Sequence, residues 1–164
     1  MKMRFYYLHV WSVLDLDGKV TTFKDRSVHP PIIDKVGLKL DFWPADGLFT
    51  IWPLFFVDER LRSCITYRNL TGVSFEKVTQ IKQGLNFAEL YKDSILPPFY
   101  WRMNINGQPL VDDFALWNKT YLVVSEKNLT FLRDNHVIHA EADEIDVPLK
   151  EYFTSNRKDF WKFL

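Results

Sequence analysis

Four histidines, a single cysteine and two groups of acids are the side chains in this sequence with the means to do chemistry. His136 and His139 form the local histidine pair, and a zinc site or a general base would start there. If 137–142 is a strand, positions 136 and 139 point to opposite faces and cannot easily share a metal. A metal would also need a third ligand, such as Glu141 on the His139 face. No metal and no cofactor are therefore expected, and both histidines read as turn and surface residues. His9 alternates with apolar neighbours on a strand, and His29 precedes two prolines in a loop. Cys64 falls at an apolar position of a predicted helix, where a structural thiol is the expectation rather than a nucleophile. Six scattered glycines build no phosphate-cradling loop, and no Gly-x-Ser-x-Gly elbow occurs.

The carboxylates offer more. Glu141, Asp143, Glu144 and Asp146 stand together, and Asp112-Asp113 forms a smaller pair. Paired carboxylates can cleave glycosidic bonds, but the separation this needs is not legible in sequence. The cluster reads either as a solvated acidic loop or as a contact patch for a basic partner, which would also speed encounter. Taken as a patch, Glu141, Asp143, Glu144 and Asp146 form a charged edge that little in folding demands. Trp117, beside the Asn118-Lys119 turn, is the candidate for its exposed aromatic, weighed against an ordinary core residue, which is the reading slightly preferred. Arg60, Arg62, Lys82 and Arg157-Lys158 read as solvent-facing charges.

Composition narrows the function classes. At 164 residues, one domain is expected, long enough to bury a core without metals or disulfides. With 47% hydrophobic and 16% aromatic residues, disorder is excluded as the dominant state, and the aromatic content favours protein interfaces. The 21 basic and 21 acidic residues cancel, which argues against a nucleic-acid partner. The lone Cys64 fits a reducing compartment, so a cytoplasmic location is expected. The stretch from Phe5 to Leu14 holds His9 and two tyrosines, lacks a small-residue cleavage site and runs into Asp15-Leu16-Asp17-Gly18. It reads as a first strand rather than a signal peptide. No apolar run reaches the length of a membrane span, so no membrane partner is expected, and the Asn-x-Thr triplets at Asn69, Asn118 and Asn128 read as chance.

The elements that would position these residues include one unit used twice. Leu54-Phe55-Phe56-Val57 leads into Asp58-Glu59-Arg60, a helix to about Arg68, Asn69-Leu70-Thr71-Gly72, and a strand from Val73 to Val78. Tyr121-Leu122-Val123-Val124 leads into Ser125-Glu126-Lys127, a helix to Arg133, Asp134-Asn135-His136, and a strand from Val137 to Ala142. Asp58 and Ser125 are predicted N-caps, and Glu59 and Glu126 complement the helix dipole. Gly72 is predicted to relieve left-handed geometry at the first helix exit. Tight hairpins are predicted at Asp17-Gly18, Asn106-Gly107 and Asn118-Lys119. Phe87 to Tyr91 and the segment after Pro148 are predicted short helices, and the tail 157–164 a packed element or an exposed arm. The fold class that follows is α+β: a single domain over 1–164, an antiparallel-rich mixed sheet, two strand–helix–strand units and short helices.

Both units also resemble immunity proteins of bacterial polymorphic toxin systems, of contact-dependent or type VI secretion type. The resemblance rests on Val124-Ser125-Glu126-Lys127-Asn128-Leu129-Thr130-Phe131-Leu132, similar to the family's helix entry. It rests also on Asn69-Leu70-Thr71-Gly72-Val73-Ser74-Phe75-Glu76-Lys77-Val78, similar to the helix exit, and on Phe99 to Ile105 and Asp113-Phe114. It spans about 50–145. It implies a cytosolic, non-catalytic protein that binds one cognate toxin domain and blocks it, with no residue-level site to carry over. Two other classes stay open: a small intracellular hydrolase using His136 or His139 with a carboxylate, and a non-catalytic adaptor or homodimer.

Overall fold

The duplicated unit of the sequence exists in space. The computed structural model describes residues 3–12 and 14–155. In chain order its elements begin with β1 (Phe5–His9), β2 (Leu14–Leu16), β3 (Phe23–Asp25), β4 (Ile32–Ile33) and β5 (Leu38–Leu40). The first repeat follows as β6 (Leu48–Ile51), β7 (Leu54–Val57), α1 (Glu59–Tyr67) and β8 (Val73–Val78). Then come β9 (Ile81–Gln83), α2 (Leu85–Leu90) and β10 (Tyr100–Ile105). The second repeat is β11 (Phe114–Trp117), β12 (Tyr121–Ser125), α3 (Glu126–Asp134) and β13 (Glu141–Glu144), before α4 (Leu149–Ser155).

Two four-stranded antiparallel sheets carry the same connectivity. One has the order β6-β7-β10-β8 and the other β11-β12-β1-β13. In each, a hairpin leads into a helix that crosses to a return strand, and a further strand fills the gap between. That filling strand is β10 in the first sheet; in the second it is β1, supplied from the start of the chain. A smaller sheet β2-β5-β9, whose β5–β9 pairing is parallel, and the β3–β4 pair complete the single mixed α+β domain.

The repeat extends to individual hydrogen bonds. The same spacing separates Asp58 from Ser125, Asn69 from His136 and Leu70 from Val137. The Asp58 carboxylate accepts from the Leu61 amide at 2.7 Å, and the Ser125 hydroxyl accepts from the Asn128 amide at 3.1 Å. Both capping expectations hold. At the exits Asn69 (φ 51°) and His136 (φ 65°) adopt the left-handed conformation, and the Leu70 and Val137 amides donate back to Ile65 and Leu132. The left-handed exit residue is thus Asn69, not Gly72. Gly72 (φ 84°) serves close approach instead: a Cβ there would collide with the Phe114 carbonyl oxygen and press on Gly107.

Asp46 and Asp113, again at the repeat spacing, tie each unit to the other. Asp46 accepts from the His139 amide at 2.9 Å, beyond the second helix. Asp113 accepts from the Thr71 amide at 3.0 Å, beyond the first. The two sheets and the helices α1 and α3 then share one core that includes Leu8, Phe55, Leu61, Phe114, Leu122 and Leu132. A second core under the small sheet holds Leu38, Leu40, Phe49, Phe56 and Phe87. A third joins Phe5 and Val123 to Leu149 of α4.

Several local expectations are corrected. Asp17-Gly18 makes no hairpin: β2 pairs with β5, and β3 with β4. The Asp17 carboxylate instead accepts from the Lys19 amide and pairs with Lys82 at 2.8 Å, which holds it below the usual carboxylate range. Asn106-Gly107 makes none either, because both amides donate to the Gly72 carbonyl. Asn118-Lys119 does turn the β11–β12 hairpin, both residues having positive φ. The strand expected from Val137 begins only at Glu141. The Val137 amide is spent on the helix exit, and the Arg133 guanidinium takes the carbonyls of Val137 and Ala140 at 2.6 Å each. The tail 157–164, with Arg157-Lys158, lies outside the described residues. Among those residues, no helix is long and apolar enough to cross a membrane.

Candidate functional site

The acidic cluster is not a loop. Glu141, Asp143 and Glu144 sit on β13, the edge strand beside β1, and Asp146 follows it, exposed. Pairing puts Glu141 opposite His9, Asp143 opposite Tyr7 and Glu144 opposite Tyr6. Strand alternation therefore sends Glu141 and Asp143 to one face and Glu144 to the other. The four residues do not form one patch. Two of them also have work in the fold, against expectation. Asp143 meets His9 Nε2 at 2.8 Å, and Glu144 lies 3.9 Å from Arg4, which also binds Glu126. Among the described residues, Glu141 and Asp146 have no ion pair.

Trp117 is not an exposed anchor. It is half-buried on the face of the sheet that α4 covers, its ring stacked on Phe153 with centroids 6.3 Å apart. The apolar side of α4 needs a partner surface, and Trp117 and Tyr121, paired across the hairpin, supply it.

The two most exposed tryptophans among the described residues lie elsewhere. Trp11 is 60% exposed and Trp52 is 52% exposed. Trp52 stands at the tip of the β6–β7 hairpin, and the Trp11 carbonyl accepts from the Thr50 amide of that hairpin at 3.3 Å. Together with Tyr7, His9, Tyr121 and Glu141 they line a groove of about 540 Å³. The groove lies where the second sheet's β1 and β12 meet the first unit's hairpin tip. His29, in the loop before β4, packs its ring 5.2 Å from Trp52.

The floor of this groove is aromatic. Tyr7 packs against His9 at 4.0 Å, Phe153 at 5.2 Å and Tyr121 at 5.6 Å between centroids. Burial pushes the Tyr7 phenol well above its ordinary pKa, and Tyr121, Tyr152 and Asp143 add to the shift. Tyr7 therefore stays neutral across the physiological range. The groove thus offers ring faces, hydroxyls and the carboxylate of Glu141.

His136 and His139 line neither this groove nor the second one, of about 370 Å³, whose walls include Pro30, Ile32, Leu54, Arg102 and Lys119. His139 meets Asp46 through both its backbone amide and Nδ1, the latter at 2.8 Å, and so fixes the loop that leads to β13. His136 occupies the left-handed helix exit. Cys64 packs against the main core from α1. Among the described residues, no three histidine, cysteine or acidic side chains are grouped to hold a metal ion.

Sequence reasoning singled out Glu141 but missed Trp11 and Trp52 as its neighbours. Both were visible as aromatics at the end of a strand and next to a proline. Their convergence depends on β1 being inserted beside β13, which no local pattern announces. No family model, curated protein or solved structure matches this chain.

Proposed function

We propose that this chain is a cytoplasmic, non-catalytic binding protein that neutralises a bacterial effector toxin domain by direct contact. The observation that carries the reading is the groove at Trp11 and Trp52, where exposed aromatics border an acidic edge strand. Desolvated aromatics supply most of the energy of a protein interface, and charges at its margin tune encounter and specificity. Further support comes from the repeat itself, whose second helix entry and first helix exit carry the resemblance to immunity proteins. The repeated caps, exits and aspartate ties all serve to hold a platform in shape. The two histidines of the hydrolase reading are engaged in a loop tie and a helix exit, which favours binding over catalysis.

The test is co-expression with the toxin domain encoded beside this chain's gene. Cells are expected to survive only when this protein is present, and the two proteins are expected to co-purify in fixed stoichiometry. Equal killing with and without it, or the absence of any adjoining toxin gene, would overturn the reading.

A further inference from the structure

The geometry points to the aromatic groove as a receptor for an arginine side chain presented by a loop of a protein partner. This deepens the proposed function and rests on it for the partner's identity as a toxin domain.

Where cations of this protein cover its own rings, the rings are half-buried ones. The Arg26 guanidinium lies 4.1 Å from the centroid of the Phe23 ring, Arg62 lies 4.3 Å from Trp101, and the Lys77 ammonium lies 4.2 Å from Phe99. The groove is different. Its walls include Trp11 and Trp52, the two most exposed tryptophans among the described residues, and among those residues no lysine or arginine lines it. The acids of β13 show the same contrast. Asp143 pairs with His9 and Glu144 with Arg4, but Glu141, on the groove side of the strand, has no ion pair among the described residues.

Indole faces beside an unpaired carboxylate are complementary to a guanidinium. The rings attract its charge through their quadrupole, and its flat, weakly hydrated surface stacks on them. The carboxylate accepts its N–H groups in the charge-assisted geometry that arginine forms best. An anionic side chain would meet Glu141 with like charge, and an aliphatic one would leave that carboxylate desolvated and unpaired.

The probe is an acetylated, amidated triarginine peptide, followed by tryptophan fluorescence and by calorimetry on the intact chain. Its neutral isostere, tricitrulline, is the control. Saturable binding of triarginine with none of tricitrulline is expected. Glu141→Gln and Trp52→Ala, both at exposed positions, should each weaken it by about threefold to thirtyfold, the range that loss of a cation–π or charged contact produces. Circular dichroism identical to that of the parent confirms that each variant is folded. No triarginine response in the parent protein, equal binding of tricitrulline, or unchanged binding in both folded variants would each overturn the assignment. So would a dimer in sedimentation that Glu141→Gln dissociates, because the groove would then belong to a second copy. Triarginine binding as expected, with no protection in co-expression, leaves the arginine site standing and removes only the toxin-neutralising role.

Discussion

Replacing Asp113 with alanine cuts one of the two ties between the repeats, and its cost can be worked from the contacts. The side chain is buried, and Oδ2 accepts from the Thr71 amide at 3.0 Å while Oδ1 accepts from the Ser125 hydroxyl at 2.7 Å. Lys127 also lies 3.6 Å away but is well exposed, so it adds little. Each hydrogen bond to a charged acceptor contributes about 1.5–3 kcal/mol. Losing two, with partial re-pairing to water, sets the destabilisation at about 3–5 kcal/mol. In a domain of this size that corresponds to a melting-temperature drop of about 6–20 °C.

The effect carries a pH signature. Burial alone would raise the Asp113 pKa, but hydrogen bonds from Ser125 and Thr71 and the nearby Lys127 charge outweigh it and hold the carboxyl below its ordinary value. A depressed folded-state pKa gives stability that is present above the unfolded value of about 3.9 and lost as pH falls through the folded one. Urea unfolding of the parent and Asp113→Ala should therefore show a wide gap at neutral pH that narrows below pH about 4. A loss under about 1 kcal/mol at neutral pH, or a gap that widens in acid, would refute the argument.

The other predictions follow from single sites. Gly72→Ala should cost more than about 2 kcal/mol, because left-handed backbone strain adds to a collision with the Phe114 carbonyl. Gly18→Ala, with open space around it, should stay within about 0.5 kcal/mol in the same urea assay. Ser125→Ala should reach the upper part of the usual capping loss of about 0.5–2 kcal/mol, because its hydroxyl also donates to Asp113; a smaller loss than for an isolated cap would contradict that double role. Protein dialysed against zinc should retain none in stoichiometric amount by elemental analysis. Zinc that survives chelation and disappears in His139→Ala would reverse the reading of His136 and His139.

What the sequence determined by itself was local. The helices at Glu59–Tyr67 and Glu126–Asp134, their caps at Asp58 and Ser125 and the Asn118-Lys119 hairpin were all legible. Each depends on interactions between residues a few positions apart, so the pattern carries its own physics. Asp17-Gly18 and Asn106-Gly107 carried the same hairpin signal and failed. In both, the tertiary structure offered the backbone other partners: β2 went to β5, and the Asn106 and Gly107 amides went to Gly72. The same holds for the candidate site. The acidic residues were visible, but not that strand alternation would split them, nor that Asp143 and Glu144 would find His9 and Arg4. A covered Trp117 was one of the two readings of the sequence, but that α4 would cover it was not legible. Trp11, Trp52 and Glu141 come together only because β1, from the start of the chain, is inserted between β12 and β13 near its end. Contacts across such separations are set by which sheet has a gap of the right length and polarity, and that is decided by the assembled fold, not by any local stretch of residues.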